Sequence, residues 1–131
     1  MPSILVIDDD VGVRTAIKVL LEMADHKVTL AADGRTGVRL IEQQPYDLVI
    51  VDVFMPGLSG LETIKALRAL RRDMPIVVMS GATVQTGPES SPDLVSIAAK
   101  LGADRSIRKP FGSNELLETV RSCLDRPAAS A

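Results

Sequence analysis

Aromatic residues are scarce: the 131-residue chain has no tryptophan, one tyrosine and two phenylalanines. That leaves almost no surface on which bases could stack, and a formal net charge of -2 gives no electrostatic case for a phosphate backbone, so nucleic acid is not an expected partner. Cys123 is the single cysteine, which excludes an internal disulfide and agrees with a reducing compartment; its simplest reading is a small buried apolar residue. Long apolar runs are missing too. The longest, such as Ile4 to Ile7, cannot span a bilayer, and Asp8, Asp9 and Asp10 interrupt the amino-terminal region where a secretory signal would need its apolar stretch. The expectation is a soluble cytoplasmic protein. Arg68, Arg71 and Arg72 form the one basic patch and read as a solvated helix end.

What is present is the composition of one globular domain, 46% hydrophobic and 24% charged. Short aliphatic runs at Ile4 to Ile7, Val28 to Ala31, Leu48 to Val51 and Ile76 to Met79, with a more polar run at Arg105 to Arg108, predict five strands. Between them the period changes. Val13, Ile17, Leu20, Leu21 and Ala24 fall on one helical face, Leu61, Ile64, Leu67 and Leu70 on another, and Leu116, Leu117, Val120 and Leu124 on a third. Asp10, Ser59 and Ser113 are expected N-caps, Ser91 with Pro92 fits a helix start, and Gly102 suits a left-handed helix end. Strands and helices that alternate, with strands apolar along their length, predict an α/β domain: a doubly wound parallel sheet with helices on both faces. The domain is expected to end near residue 125, and Arg126 to Ala131 reads as a short disordered tail. Ala82 to Ser91 is long for a connection in such a fold.

In an open parallel sheet the ligand site lies beyond the carboxyl ends of the strands. There the sequence places Asp8, Asp9 and Asp10 after the first strand, Asp52 after the third, Ser80 after the fourth and Lys109 with Pro110 after the fifth. Carboxylates brought to about 4 Å repel by roughly 4 kcal/mol per pair at an effective dielectric of 20, so they call for a cation. Mg²⁺ fits, because it prefers oxygen ligands and sits on one or two carboxylates plus phosphate oxygens. A carboxylate can also attack phosphorus to give an acyl phosphate. Asp52 is the natural nucleophile, being the lone acid at its strand end and followed by a turn through Met55, Pro56 and Gly57. Taken singly these residues have ordinary readings: Asp10 a cap, Asp8 and Asp9 a solvated turn, Ser80 a structural turn, Lys109 a surface cation. Their joint occurrence at four strand ends is what points to chemistry.

The segments Ile4 to Asp10 (ILVIDDD), Asp52 to Gly57 (DVFMPG) with Gly60, Val78 to Ser80 (VMS) and Lys109 to Phe111 (KPF) together resemble the receiver domains of bacterial two-component response regulators. The resemblance runs from about Ser3 to Leu124. It implies a flavodoxin-like fold with strand order 2-1-3-4-5, an order that the residues alone do not supply. It further implies Asp52 as phosphoacceptor, Asp9 and Asp52 as direct Mg²⁺ ligands, Asp8 binding the metal mostly through water, and the Phe54 carbonyl as the remaining protein ligand. Ser80 would hydrogen-bond the phosphoryl group, Lys109 would ion-pair with it, and the Lys109–Pro110 bond would be cis. The implied partners are a sensor histidine kinase or phosphotransfer protein and a downstream protein, with dimerisation left open.

Three departures from the family pattern stand out. Ser106 occupies the position where receivers carry a Tyr or Phe, Gly81 follows Ser80 where Ala is common, and the Ala82 to Ser91 loop is long. They put signal transmission in question without touching phosphoryl transfer, and they keep open an adaptor that works by binding alone. A haloacid-dehalogenase-type phosphatase would place a threonine where Gly12 stands, so a dedicated enzyme is not expected. His26 reads as a satisfied structural histidine.

Overall fold

The computed structural model describes residues 1–53, 60–80 and 93–125, with side chains from residue 97 onward in the last stretch. The element order is β1 (Ser3–Ile7), α1 (Val11–Met23), β2 (Lys27–Ala31), α2 (Gly34–Gln43), β3 (Leu48–Asp52), α3 (Gly60–Leu70), β4 (Ile76–Ser80), α4 (Asp93–Leu101), β5 (Arg105–Arg108) and α5 (Ser113–Leu124). The expected Ser59 cap, the Ser91–Pro92 helix start, the Met55 to Gly57 turn, the Ala82 to Ser91 loop and the tail from Arg126 lie outside the described residues.

All four strand pairings are parallel, and the order is β2-β1-β3-β4-β5. The central strands are buried on both faces because their alternate residues feed two separate cores. Leu5, Ile7, Val49, Val51, Ile76 and Val78 pack with Ile41 of α2, Ile64 and Leu67 of α3 and Ala98 of α4. Ile4, Val6, Leu48, Ile50, Val77 and Met79 pack with Ile17 and Leu21 of α1 and with Leu116, Val120 and Cys123 of α5. Cys123 is thus a small core residue. The edge strands differ: only Ala31 of β2 and Ile107 of β5 are fully buried, as expected where one flank of a strand has no neighbour.

Turn chemistry accounts for most boundaries. Asp10 caps α1, its carboxylate accepting from the Gly12 and Val13 N–H groups at 2.8 and 3.1 Å. Asp33 does the same for α2 through the Thr36 N–H at 2.8 Å, and this bond holds its carboxyl below the usual range. Gly102, at φ +123°, ends α4 in the conformation that favours glycine. The expected Ser113 cap is corrected. Gly112 is the N-cap, with extended backbone and a carbonyl that accepts from Leu116, while Ser113 is the first helical residue. Glycine serves there at a cost of only a few tenths of a kcal/mol relative to serine.

Of the basic patch only Arg72 is an exposed helix-end cation; Arg68 and Arg71 are turned onto the fold. Arg68 turns its guanidinium onto the carbonyls of Arg71, Arg72 and Met74 at 2.6 to 3.1 Å, onto Gly102 at 2.6 Å and onto the Asp104 carboxylate at 3.1 Å. Arg71 reaches the Ile41 carbonyl at 2.8 Å. These carbonyls follow helix ends or close turns, so they lack ladder partners, and a planar five-donor fork supplies several of them at once. His26 is also corrected: its buried Nδ1 has no hydrogen-bond partner among the described residues.

Candidate active site

Four parallel strands deliver the site to one edge of the sheet. Asp52 and Ser80 are the last residues of β3 and β4, which each run one residue further than the sequence reading gave them, while Asp8 and Lys109 follow β1 and β5 directly. Carboxylate oxygens of Asp8, Asp9 and Asp52 all lie within 4.8 Å of one another. Asp8 is fully buried, Asp52 is 4% exposed and Asp9 is open to solvent.

Lys109 closes the group from the far side of the sheet. Its Nζ donates to Asp8 Oδ2 at 2.8 Å and to Asp52 Oδ2 at 3.0 Å. Burial pulls the Lys109 ammonium towards neutrality, but the hydrogen bonds to Asp8 and Asp52 and the charges of both acids outweigh it, so its pKa stands above the ordinary lysine value. The other Asp8 oxygen, Oδ1, accepts the Asp10 N–H at 2.8 Å. Asp9 has no hydrogen bond of its own among the described residues. Ser80 is half-buried at the end of the adjacent strand, where its carbonyl accepts the Lys109 N–H at 2.9 Å. The Lys109–Pro110 peptide is cis. Phe54, whose carbonyl was the fourth expected ligand, lies outside the described residues.

The approach of α3 to this edge depends on Gly60. A Cβ there would overlap the Asp52 carbonyl oxygen and the Val53 Cα, so the helix can start against the acid-bearing strand only with glycine at that position. Sequence reasoning passed over Arg14, whose Nη1 donates to the Asp8 carbonyl at 2.7 Å. A signal existed. A cation near the start of a helix sits against the helix dipole, and such a placement asks for a local partner.

Three carboxylates against one ammonium leave an excess of negative charge in a partly dry cleft. The group offers only oxygen donors, which suits a hard divalent cation. A profile of the response regulator receiver domain matches residues 4–121. The chain belongs to the response regulator receiver family. Among curated relatives, the receiver is 39% identical over 123 residues to the response regulator MprA of Mycolicibacterium vanbaalenii, covering 94% of this chain and 50% of that protein. It is 33% identical over 126 residues to the transcriptional regulatory protein AfsQ1 of Streptomyces coelicolor, covering 96% and 52%. The chain therefore spans about half the length of the curated relatives it matches. Among solved structures, the chemotaxis protein CheY4 of Vibrio cholerae superposes with a TM-score of 0.83 at 29% identity, covering 95% of this chain and 99% of that one. The receiver domain of the sensor histidine kinase PA1611 of Pseudomonas aeruginosa, solved with magnesium coordinated in its active-site cleft, superposes with a TM-score of 0.81 at 28% identity over 95% of this chain and 98% of that one. As a receiver, the domain is a signalling switch and not a dedicated enzyme. Among the described residues no helix is long and apolar enough to cross a membrane.

Proposed function

We propose that this receiver is a cytoplasmic phosphorylation switch whose phosphoacceptor is Asp52. The observation that carries this reading is the convergence of Asp8, Asp9 and Asp52 within 4.8 Å, with the Lys109 ammonium bridging two of them. A carboxylate oxygen of Asp52 attacks the phosphorus of a phosphorylated histidine, the P–N bond of the donor breaks, and an acyl phosphate forms on Asp52. Lys109, already 3.0 Å from Asp52, meets the incoming phosphoryl oxygens, and the Ser80 hydroxyl donates to one of them. Mg²⁺, when bound, offsets the negative charge gathered on the phosphoryl group and the acids.

The donor set fits that ion unevenly. Both oxygens of Asp8 are engaged, by Lys109 and by the Asp10 N–H, whereas Asp9 is uncommitted. This supports Asp9 and Asp52 as direct ligands, with Asp8 acting mostly through water and the Phe54 carbonyl completing the protein share. The donor partner would be a histidine kinase or phosphotransfer protein. Its docking surface would be α1, which begins beside the acids and exposes Val11, Val19 and Met23 at 66, 50 and 76% along one side. An apolar depression between Gly12, Ala16 and Leu20 lies along the same helix.

The test is incubation with acetyl phosphate or beryllofluoride and Mg²⁺, read by intact mass or by spectral change. Wild type should gain one phosphoryl group and Asp52→Asn none; modification that persists in Asp52→Asn or in excess chelator would overturn the assignment. The adaptor reading rests on Ser106, which is exposed on β5 where receivers carry an aromatic residue. It would be favoured if wild type also stayed unmodified.

A further inference from the structure

Arg14 is built into the acidic corner although the phosphoryl chemistry makes no use of it. In a parallel strand the N–H and C=O of one residue point towards the same neighbour. The Asp8 N–H is bonded to the Ala31 carbonyl at 3.1 Å, so the Asp8 carbonyl faces the β2 side at a level where β2 has already ended. Arg14 Nη1 supplies the donor that the ladder no longer provides, at 2.7 Å. This carbonyl belongs to the peptide that joins Asp8 to Asp9, and a charge-assisted bond to it fixes the plane of that peptide.

The plane matters because, among the described residues, no side chain or main-chain group bonds the Asp9 carboxylate to aim it. The Asp8 carboxylate is locked by the Asp10 N–H and Lys109, and the Asp10 carboxylate by its cap on α1. Asp9 is exposed and has no hydrogen bond among the described residues, so the backbone on either side of it sets where its carboxylate goes. Arg14 holds both sides. Its guanidinium binds the Asp8 carbonyl, and its main-chain N–H donates to the Asp10 carbonyl at 3.0 Å.

We propose that Arg14 is a positioning residue whose guanidinium, by fixing the Asp8–Asp9 peptide, brings Asp9 into the carboxylate group with Asp8 and Asp52. The proposal rests on the reading that this group holds Mg²⁺. Positioning and plain electrostatics predict opposite signs. Loss of a nearby positive charge would by itself favour a cation, whereas loss of the brace should disfavour it.

Calorimetric titration of the full chain with MgCl₂ alone, comparing wild type, Asp9→Asn, Arg14→Ala and Arg14→Lys, separates the two. Arg14→Ala should weaken Mg²⁺ by about tenfold, the low end for residues that orient metal ligands, and Arg14→Lys, which keeps a charged donor, should recover part of the loss. In metal-free protein the Asp9 and Asp10 amides should exchange with deuterium faster in Arg14→Ala than in wild type. Wild-type or tighter Mg²⁺ affinity in Arg14→Ala, or a loss that Arg14→Lys does not lessen, would overturn the proposal. Failure of wild type itself to bind Mg²⁺ would instead overturn the metal reading. The amide exchange would then decide the brace alone, with unchanged rates at Asp9 and Asp10 counting against it. Should Arg14→Ala not fold, the comparison of Arg14→Lys with wild type gives the same signs on a smaller scale.

Discussion

Replacing Lys109 by methionine keeps an unbranched stem one atom shorter and removes the charge, leaving the buried Asp8 and Asp52 facing each other. With oxygens up to 4.8 Å apart, two such charges repel by about 3–4 kcal/mol at an effective dielectric of 20. At 2.8 and 3.0 Å the ammonium attracts each acid more strongly than the acids repel, but it gives up hydration to do so. Removing one member of a buried charged group costs about 3–5 kcal/mol, and the Lys109 side chain is 19% exposed, which places the expected loss near ~3 kcal/mol. Urea denaturation in excess chelator should show that loss. Added Mg²⁺ should stabilise Lys109→Met more than wild type, because it supplies a charge that only the variant lacks. The pH dependence has a definite sign. The folded pKa of Lys109 lies above its ordinary 10.5, so its contribution is complete below that value and fades only as pH rises through the folded pKa. The gap between wild type and variant due to Lys109 titration should therefore stay level between about pH 7 and 9. A variant within 1 kcal/mol of wild type in chelator, or one that gains no more from Mg²⁺, would refute the view that Lys109 is the charge that lets these acids be buried together.

Arg68→Met should cost about 2–3 kcal/mol by urea denaturation, since several carbonyls after α3 and α4 lose a charged donor at once; a loss below 1 kcal/mol would mean water replaces it. His26 is held below its ordinary 6.5, chiefly by burial and also by the amino terminus, against the pull of Asp25. Its contribution is complete above 6.5 and lost as pH falls towards the folded pKa, so wild type should lose more Tm than His26→Gln between about pH 7.5 and 5.5. Equal losses would show that the orphaned imidazole is not felt. Val19→Glu, on the exposed side of α1, should slow phosphoryl transfer from a phosphohistidine protein about tenfold or more, as loss of an apolar contact of 1.4 kcal/mol would, and leave the acetyl phosphate reaction unchanged. Slowing of both reactions would place the fault in the site and not in docking.

Most of the site was legible because its parts are local. Each acid, serine or lysine ends or directly follows a strand that a short run of residues announces, and parallel strands with helical crossovers must bring their carboxyl ends to one edge. The apolar strands and the three helix faces likewise implied a sheet covered on both sides, since these patterns are set by neighbours along the chain. Closure of the sheet decided the rest. Lys109 and Asp8 are 101 residues apart and meet at 2.8 Å only because β5, β4, β3 and β1 lie side by side in register. Arg68 read as a solvated end because its carbonyl partners at Met74 and Gly102 are defined only once the helices stop beside one another. Arg14 found its partner just past the paired ends of β1 and β2, where the ladder between them has stopped. A residue's type and the spacing around it determine which element it joins and which face it takes. The partner of a long polar side chain depends on which main-chain groups the finished fold leaves without a ladder bond, and that is a property of the assembled strands and helices.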